Sequence, residues 1–131
     1  MKKCVTFLSS VLLSTVLIAP AFAAVDVGDA MKEMGKNYRL VMKDTDAASL
    51  KQDLASLRAA AVKAQSGVPS NMQKDAADSA NRKTFTAGMK EFIDQVDVAS
   101  KLADEGKVPE AKAKAAKLKD LMKEYHGKLG V

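Results

Sequence analysis

Residues 102–111, Leu-Ala-Asp-Glu-Gly-Lys-Val-Pro-Glu-Ala, have the sequence of a tight turn between two helices. Gly106 is suited to end a helix, because glycine adopts the left-handed conformation common just past a helix C-terminus. Pro109 is suited to the first position of the next helix, where its missing N–H costs nothing. A connection this short forces the two helices to lie side by side and antiparallel. We therefore predict a helical hairpin centred on this turn.

Apolar residues recur at alternating steps of three and four on both sides of the turn and earlier in the chain. This spacing places one apolar stripe along each helix, as in left-handed bundle packing. The four predicted stripes are Val27, Met31, Met34, Tyr38 and Val41; Ala47, Leu50, Leu54, Leu57, Ala61 and Ala64; Phe85, Met89, Phe92, Val96, Ala99 and Ala103; and Ala111, Ala115, Leu118, Met122 and Tyr125. We predict an all-α protein, an antiparallel up-down-up-down four-helix bundle.

Capping residues support these boundaries. Asp26, Asp46 and Ser79 each precede a predicted helix and can accept a hydrogen bond from its first turn. Residues 66–69, Ser-Gly-Val-Pro, are expected to end the second helix. The connection between the second and third helices is roughly a dozen residues long, at the upper edge of ordinary loops.

Residues 1–23 have the pattern of a bacterial signal peptide. Lys2 and Lys3 form a short cationic segment at the start. Residues 5–18 then form an apolar run, and residues 20–23 give a small-x-small cleavage pattern. The apolar run is shorter than the roughly 20 residues of a membrane span. We predict cleavage after Ala23, export to the periplasm, and a mature domain of residues 24–131 without a membrane span.

Cysteine usage limits the chemistry of this domain. The one cysteine, Cys4, lies in the predicted signal peptide, so the mature domain has no disulfide, thiolate metal site or nucleophilic cysteine. The Cys-x-x-Cys-His signature of covalent haem attachment is also absent. The sequence offers no paired carboxylates, no nucleophile beside a base and no phosphate-binding glycine loop, so we expect no enzymatic activity.

The charge balance is modestly basic, with 21 lysines and arginines against 16 acidic residues. Two tyrosines, no tryptophan and no interleaving of basic with aromatic residues give nucleic-acid binding little support. The lysines are most simply a solvated helix surface, and a basic face for an acidic redox partner is the alternative.

Met31 and His126 are the candidate functional pair. In the predicted bundle, the start of helix 1 and the end of helix 4 share one end, together with the long loop and Phe85. Ala61 and Ala64 on helix 2 are small and would leave room between the helices for a flat cofactor. His126 is the chain's one histidine. A thioether and an imidazole could hold haem iron from opposite faces, which leaves no open position and favours electron transfer.

Other interpretations of these residues stay open at this point. Met31 can be an ordinary core methionine, Met34 can replace it as ligand, and Tyr125 can be a core aromatic. His126 can be a surface residue that complements the helix dipole. A periplasmic Cu(I) carrier using Met31, Met34 and His126 is a second hypothesis. A haem-free helical scaffold or chaperone is a third.

Three segments resemble the cytochrome b562 family. They are residues 102–111, residues 124–126 (Glu-Tyr-His), and residues 57–61 (Leu-Arg-Ala-Ala-Ala) with Ala64-Gln65. The resemblance spans the mature chain and implies a periplasmic electron carrier that binds one haem b, with its iron, non-covalently. It implies Met31 and His126 as the axial ligands.

The position of other residues at this end of the bundle predicts the surroundings of the ligands, and Phe85 also matches a family phenylalanine. We expect cofactor contacts from Met34, Ala61, Phe85, Met122 and Tyr125. The resemblance implies partners limited to haem and an unidentified redox protein. A bundle with one stripe per helix can close on itself, so we expect a monomer.

The chain departs from the family pattern near the proposed site. The family's arginine one turn before the histidine is Met122 here, and no arginine follows Arg82. Positive charge could come instead from Lys119, Lys123 or Lys128, although a lysine is a flexible point charge rather than a planar fork. A family phenylalanine one turn after Phe85 is Met89, and Gly127 is expected to loosen the turn that carries His126.

Overall fold

The computed structural model describes residues 24–131, and the predicted signal peptide lies outside them. Four α-helices follow one another: α1 (Val27–Lys43), α2 (Ala47–Ser66), α3 (Ala80–Asp104) and α4 (Val108–Leu129). A short 3-10 turn, Ser70–Met72, lies in the connection between α2 and α3. The described part of the chain contains no strand. The predicted all-α four-helix fold is confirmed.

The predicted N-caps all form. Asp26, Asp46 and Ser79 each precede a helix, and their side-chain oxygens accept the N–H of the residue three positions later at 3.0, 2.9 and 3.3 Å. Each bond satisfies a donor that the first turn of a helix otherwise leaves without a partner. The α2 helix ends at Ser66, as its following Gly-Val-Pro predicts.

The turn at residues 102–111 has the geometry that its glycine predicts. Gly106 has φ of +74°, which a residue with a side chain rarely adopts. The N–H groups of Gly106 and Lys107 donate to the carbonyls of Ala103 and Leu102 at 3.0 and 2.9 Å. This pair of bonds is a Schellman motif, which ends α3 and turns the chain. Pro109 is the second residue of α4, one position later than predicted.

The helices pack in an up-down-up-down order, with sequential helices in contact. Packing between α1 and α4 is much sparser than between the sequential pairs. The largest fully buried side chains are Leu50, Leu54, Leu57, Met72, Leu118, Val41 and Val96. Three of these seven belong to α2, whereas α1, α3 and α4 contribute one each, so α2 supplies the largest share of the core.

This uneven packing rotates the buried face of α1 relative to the predicted stripe. Ala30 and Asn37 are buried, whereas Met31 and Tyr38 are only half-buried. The reason is that α1 packs mainly against α2, so residues on the side facing α4 are incompletely covered. The pattern of apolar residues identified the helix but not the direction of its most buried face.

The predicted stripe of α4 is buried only along its first half. Ala111, Ala115 and Leu118 have no exposed surface, whereas Met122 and Tyr125 are half-buried. The change occurs where the helix leaves the filled core. The stripes of α2 and α3 are buried as predicted, except that Ala47 is half-buried.

Candidate functional site

A partly open cavity lies at the end of the bundle where α1 begins and α4 ends. Its empty volume is about 410 Å³, part of it open to solvent. Three helices, α1, α3 and α4, supply the lining residues Met31, Met34, Phe85, Gly88, Met89, Phe92, Leu121, Met122, Tyr125, His126 and Leu129.

Most of the residues predicted for the site meet in this cavity. Met31 and His126 both line it, from α1 and α4, together with Met34, Phe85, Met122 and Tyr125. Ala61 does not belong to the lining and is fully buried in α2. The small residues of α2 therefore let the helices pack closely behind the cavity instead of widening it.

Local structure at the start of α1 positions Met31. The Asp26 cap fixes the first turn of the helix, and its carboxylate accepts the N–H of Asp29. Met31 follows one turn later on the side facing α4 and is half-buried, whereas Met34 is 2% exposed. The two thioethers therefore differ in accessibility, and Met31 is the one closer to solvent.

The last turns of α4 position His126. The helix continues through Gly127 to Leu129, so the expected loosening at Gly127 is wrong. Gly130 has φ of +70°, and its N–H and that of Val131 both donate to the carbonyl of His126. These bonds satisfy a carbonyl that would otherwise lack a partner at the helix C-terminus. The imidazole itself is exposed on the cavity side of a capped turn.

Tyr125 connects the end of α4 to α3. Its hydroxyl donates to a carboxylate oxygen of Glu91 at 2.6 Å, and this hydrogen bond raises the pKa of Tyr125. The ammonium of Lys128 lies 4.5 Å from the centre of the tyrosine ring, and it also pairs with Glu124 at 2.6 Å. The ring packs on the backbone of α3 at Gly88.

The lining is soft and almost entirely apolar. Four methionine thioethers and one imidazole are its metal-binding groups, and no carboxylate or ammonium belongs to it. Within residues 24–131 there is no group of three or more histidine, cysteine and acidic residues that could hold a metal ion. A thioether and an imidazole that face one apolar space match the ligands of iron in a flat, apolar macrocycle. The residues of the lining therefore fit such a group.

The positive charge on α4 comes from its lysines. Met122 lines the cavity at the position of the family's arginine. Lys128 is held by Glu124 and by the ring of Tyr125. Lys119 and Lys123 are exposed and form no salt bridge with any other part of residues 24–131.

Five lining residues were not predicted as site residues: Gly88, Met89, Phe92, Leu121 and Leu129. Leu121 and Leu129 lie one turn from Tyr125 on the same face, so extending the stripe of α4 would have included them. Gly88 had a signal of its own, since a glycine inside a regular helix costs stability unless packing requires it.

The fold and the site together define a helical-bundle protein with an internal binding site at one end. A family model for cytochrome b562 matches residues 26–129. A probable soluble cytochrome b562 of Yersinia pestis is 38% identical over 127 residues, which cover 97% of each chain. A second from that organism is 27% identical over 114 residues, which cover 87% of this chain and 90% of the relative.

The chain belongs to the cytochrome b562 family. Membership implies a haem-binding protein, in agreement with the ligand chemistry of the cavity. No helix in residues 24–131 is long and apolar enough to cross a membrane.

Proposed function

We propose that this protein is a periplasmic electron carrier that binds one haem b without covalent attachment. Met31 and His126 are the proposed axial ligands. The observation that carries the proposal is that these two side chains, from the first and last helices, line the same apolar cavity. A bound haem b would supply an iron centre that changes its oxidation state by one electron.

The two proposed ligands give the site its chemistry. Neutral imidazole is a good ligand for iron in either oxidation state, and the thioether favours the reduced metal and raises the reduction potential. If Met31 and His126 both bind the iron, they would leave no position on it for a substrate or for oxygen. We therefore assign electron transfer, and no catalytic role, to the site.

The other lining residues exclude water and shape the space. Phe85 and Met34 are buried and cover the inner end of the cavity, whereas Met122 and Tyr125 are half-buried nearer its mouth. An apolar surrounding disfavours the additional charge of the oxidised iron. Lys119 and Lys123 are the proposed partners of the anionic edge of the macrocycle.

The proposal includes the export of the protein, its location and its oligomeric state. Residues 1–23 are the proposed signal peptide, and residues 24–131 are the mature haem-binding domain, acting as a monomer in the periplasm. Its redox partner is a further protein that exchanges one electron at the open side of the cavity. Family membership does not favour the cuprous carrier or the haem-free scaffold.

The decisive experiment is an absorption spectrum of the mature domain with added haem, first oxidised and then reduced with dithionite. The expected result is a sharp low-spin b-type spectrum that is lost in both Met31→Ala and His126→Ala. Met42→Ala is the matched control, because Met42 is a partly buried methionine of the same helix outside the cavity lining. This control should keep the wild-type spectrum.

Two results would contradict the proposal in different ways. If the protein stays colourless with excess haem, the haem function is wrong, and stoichiometric Cu(I) binding would then favour the copper carrier. If haem binds and the six-coordinate spectrum persists in His126→Ala, the ligand assignment is wrong although the function stands.

A further inference from the structure

The imidazole of His126 has no hydrogen-bonding partner in the part of the chain that the structure describes, and it is exposed. Histidines that bind metals usually donate their second ring N–H to a neighbouring group, which fixes the orientation of the ring. Without such a partner, the position of this imidazole depends on the helical turn that carries it. The groups that hold this turn therefore determine where the proposed ligand lies.

The last turns of α4 are held by partly buried apolar packing and by one polar contact. No residue of α4 after Leu118 is buried, and the side chains from Leu121 onward are half-buried or exposed. In residues 24–131, one side-chain hydrogen bond joins this part of α4 to another helix, from the Tyr125 hydroxyl to Glu91 at 2.6 Å. Tyr125 thus makes the polar connection between the ligand-bearing end of α4 and α3, beside the apolar packing of Leu121, Met122 and Leu129.

The tyrosine ring fits against α3 because residue 88 is glycine. A Cβ atom at Gly88 would lie 2.6 Å from Cδ1 and 2.7 Å from Cγ of Tyr125, far inside van der Waals contact. The ring therefore rests directly on the α3 backbone. Lys128, one turn from Glu124 and paired with it, lies over the same ring at 4.5 Å. Three contacts therefore hold the ring of Tyr125 in this position: the α3 backbone at Gly88, the hydrogen bond to Glu91 and the ammonium of Lys128.

From these contacts we propose that Tyr125, seated on Gly88 and tied to Glu91, is a positioning residue that fixes His126 for iron ligation. Tyr125 and His126 are consecutive in one rigid helix, separated by about 100° of rotation. A new Cβ at position 88 would press on Cγ and Cδ1, the ring atoms closest to the Tyr125 backbone, so we expect the turn to shift and to move the imidazole with it. The inference rests on the proposed haem function but assigns a role to residues that need not touch iron.

The test compares two glycine substitutions. Gly88→Ala forces the Tyr125 ring from its seat, whereas Gly35→Ala, one turn after Met31, meets nothing within 4 Å. In haem titrations, Gly88→Ala should raise the Kd for haem at least tenfold. Part of the haem-saturated variant should also remain high-spin. Gly35→Ala should keep the wild-type Kd and a fully low-spin spectrum. A spin-state change at saturation separates positioning from a general loss of stability.

A second substitution covers the case in which Gly88→Ala folds poorly. Tyr125→Ala removes the ring, so the double variant Gly88→Ala/Tyr125→Ala has room for the new Cβ. If the ring transmits the effect, adding Gly88→Ala to Tyr125→Ala should change neither Kd nor spin state further. Tyr125→Phe keeps the ring and loses the Glu91 bond, so it should give a smaller change of about threefold in Kd.

Amide hydrogen exchange in the haem-free protein makes the result independent of the proposed function. Gly88→Ala should accelerate exchange across residues 121–129 at least tenfold, and Gly35→Ala should leave it unchanged. Equal exchange and equal haem spectra for the two alanine variants would overturn the positioning role. A wild-type protein that binds no haem would overturn the proposed function. Faster exchange in Gly88→Ala would still support the claim that the Tyr125 ring, packed on Gly88, holds the end of α4 in place.

Discussion

The two ends of this bundle are built differently. At the closed end, where α1 meets α2 and α3 meets α4, leucine, valine and alanine side chains fill the interior completely, as Leu50, Leu54, Val96 and Ala99 illustrate. At the cavity end, methionines and aromatic residues from α1, α3 and α4 surround open space, and several of them are half-buried. The bundle thus has a packed core at one end and a partly open cavity, lined by α1, α3 and α4, at the other.

The difference follows from side-chain volume and from the spacing of the helices. Alanine on α3 and α4 brings these helices close together around Ala103 and Ala111, and branched residues of α2 fill what remains. Empty space in a core is costly, so it persists where a ligand can occupy it. We infer that the closed end supplies most of the stability of the haem-free protein and that the cavity end depends on its ligand.

The largest expected effect comes from filling the cavity end. Haem at a thousandfold excess over its Kd should stabilise the fold by about 4 kcal/mol, because it binds only the folded state. Urea unfolding of the wild-type protein with and without haem measures this difference. Met31→Ala and His126→Ala should lose most of it while keeping the haem-free stability, and an unchanged gain in both would show that the ligand pair is misassigned.

The next effect separates the two ends in the haem-free protein. Leu54→Ala at the closed end should cost about 3 kcal/mol, because it leaves a cavity in a filled core. Met122→Ala at the cavity end should cost about 1 kcal/mol or less, since its half-buried side chain faces open space. Equal losses in urea unfolding would contradict the division of roles between the ends.

A smaller pair of changes uses the helix caps as matched probes. Asp26 caps α1 at the cavity end, and Asp46 caps α2 at the closed end. Replacing either with alanine should lower the Tm of the haem-free protein by roughly 4 °C. Only Asp26→Ala should also weaken haem binding, because Met31 follows that cap by one turn. Haem titration of the two variants tests this, and similar Kd values would place Met31 outside the influence of its cap.

The smallest effect concerns charge at the closed end. Burial raises the pKa of Asp44 above its ordinary 3.8. The neighbouring carboxylates of Asp53 and Asp46 raise this pKa further, whereas the ammonium of Lys112 lowers it. One carboxylate oxygen of Asp44 is buried without a hydrogen-bonding partner in the described residues. The folded state therefore holds this proton more tightly than the unfolded state, and its stability falls as pH rises through the raised pKa.

Asp44→Asn should remove this penalty. The expected result is a Tm a few degrees above wild type at pH 7 and a difference that disappears near pH 3, where both states of the wild type are protonated. Thermal unfolding from pH 3 to pH 8 measures the trend. A gain that is the same at every pH would attribute the effect to packing and not to the carboxylate.

The sequence predicted much of this molecule because its signals are local. The four helices, three caps and the glycine turn at Gly106 depend on residues a few positions apart, and all of them form. The meeting of Met31 and His126 at one cavity also followed from topology, since antiparallel helices joined by short turns bring the chain ends together. Their roles as ligands stay a prediction.

Other features depended on how the helices pack. The stripe pattern did not reveal that α1 turns Ala30 and Asn37 inward and leaves Met31 half-buried, because the sparse contact with α4 is a property of the assembled bundle. It also assigned Ala61 to the site, although α2 lies behind the lining.

The sequence by itself determined the class of fold, the ends of the helices and the end of the bundle where the candidate ligands lie. These depend on hydrophobic period, turn chemistry and connection length, which are properties of short segments. Only the tertiary structure decided which residues border the cavity and that Tyr125 rests on Gly88 and bonds to Glu91. Such contacts depend on the distance and rotation between two packed helices, which no single segment of sequence specifies.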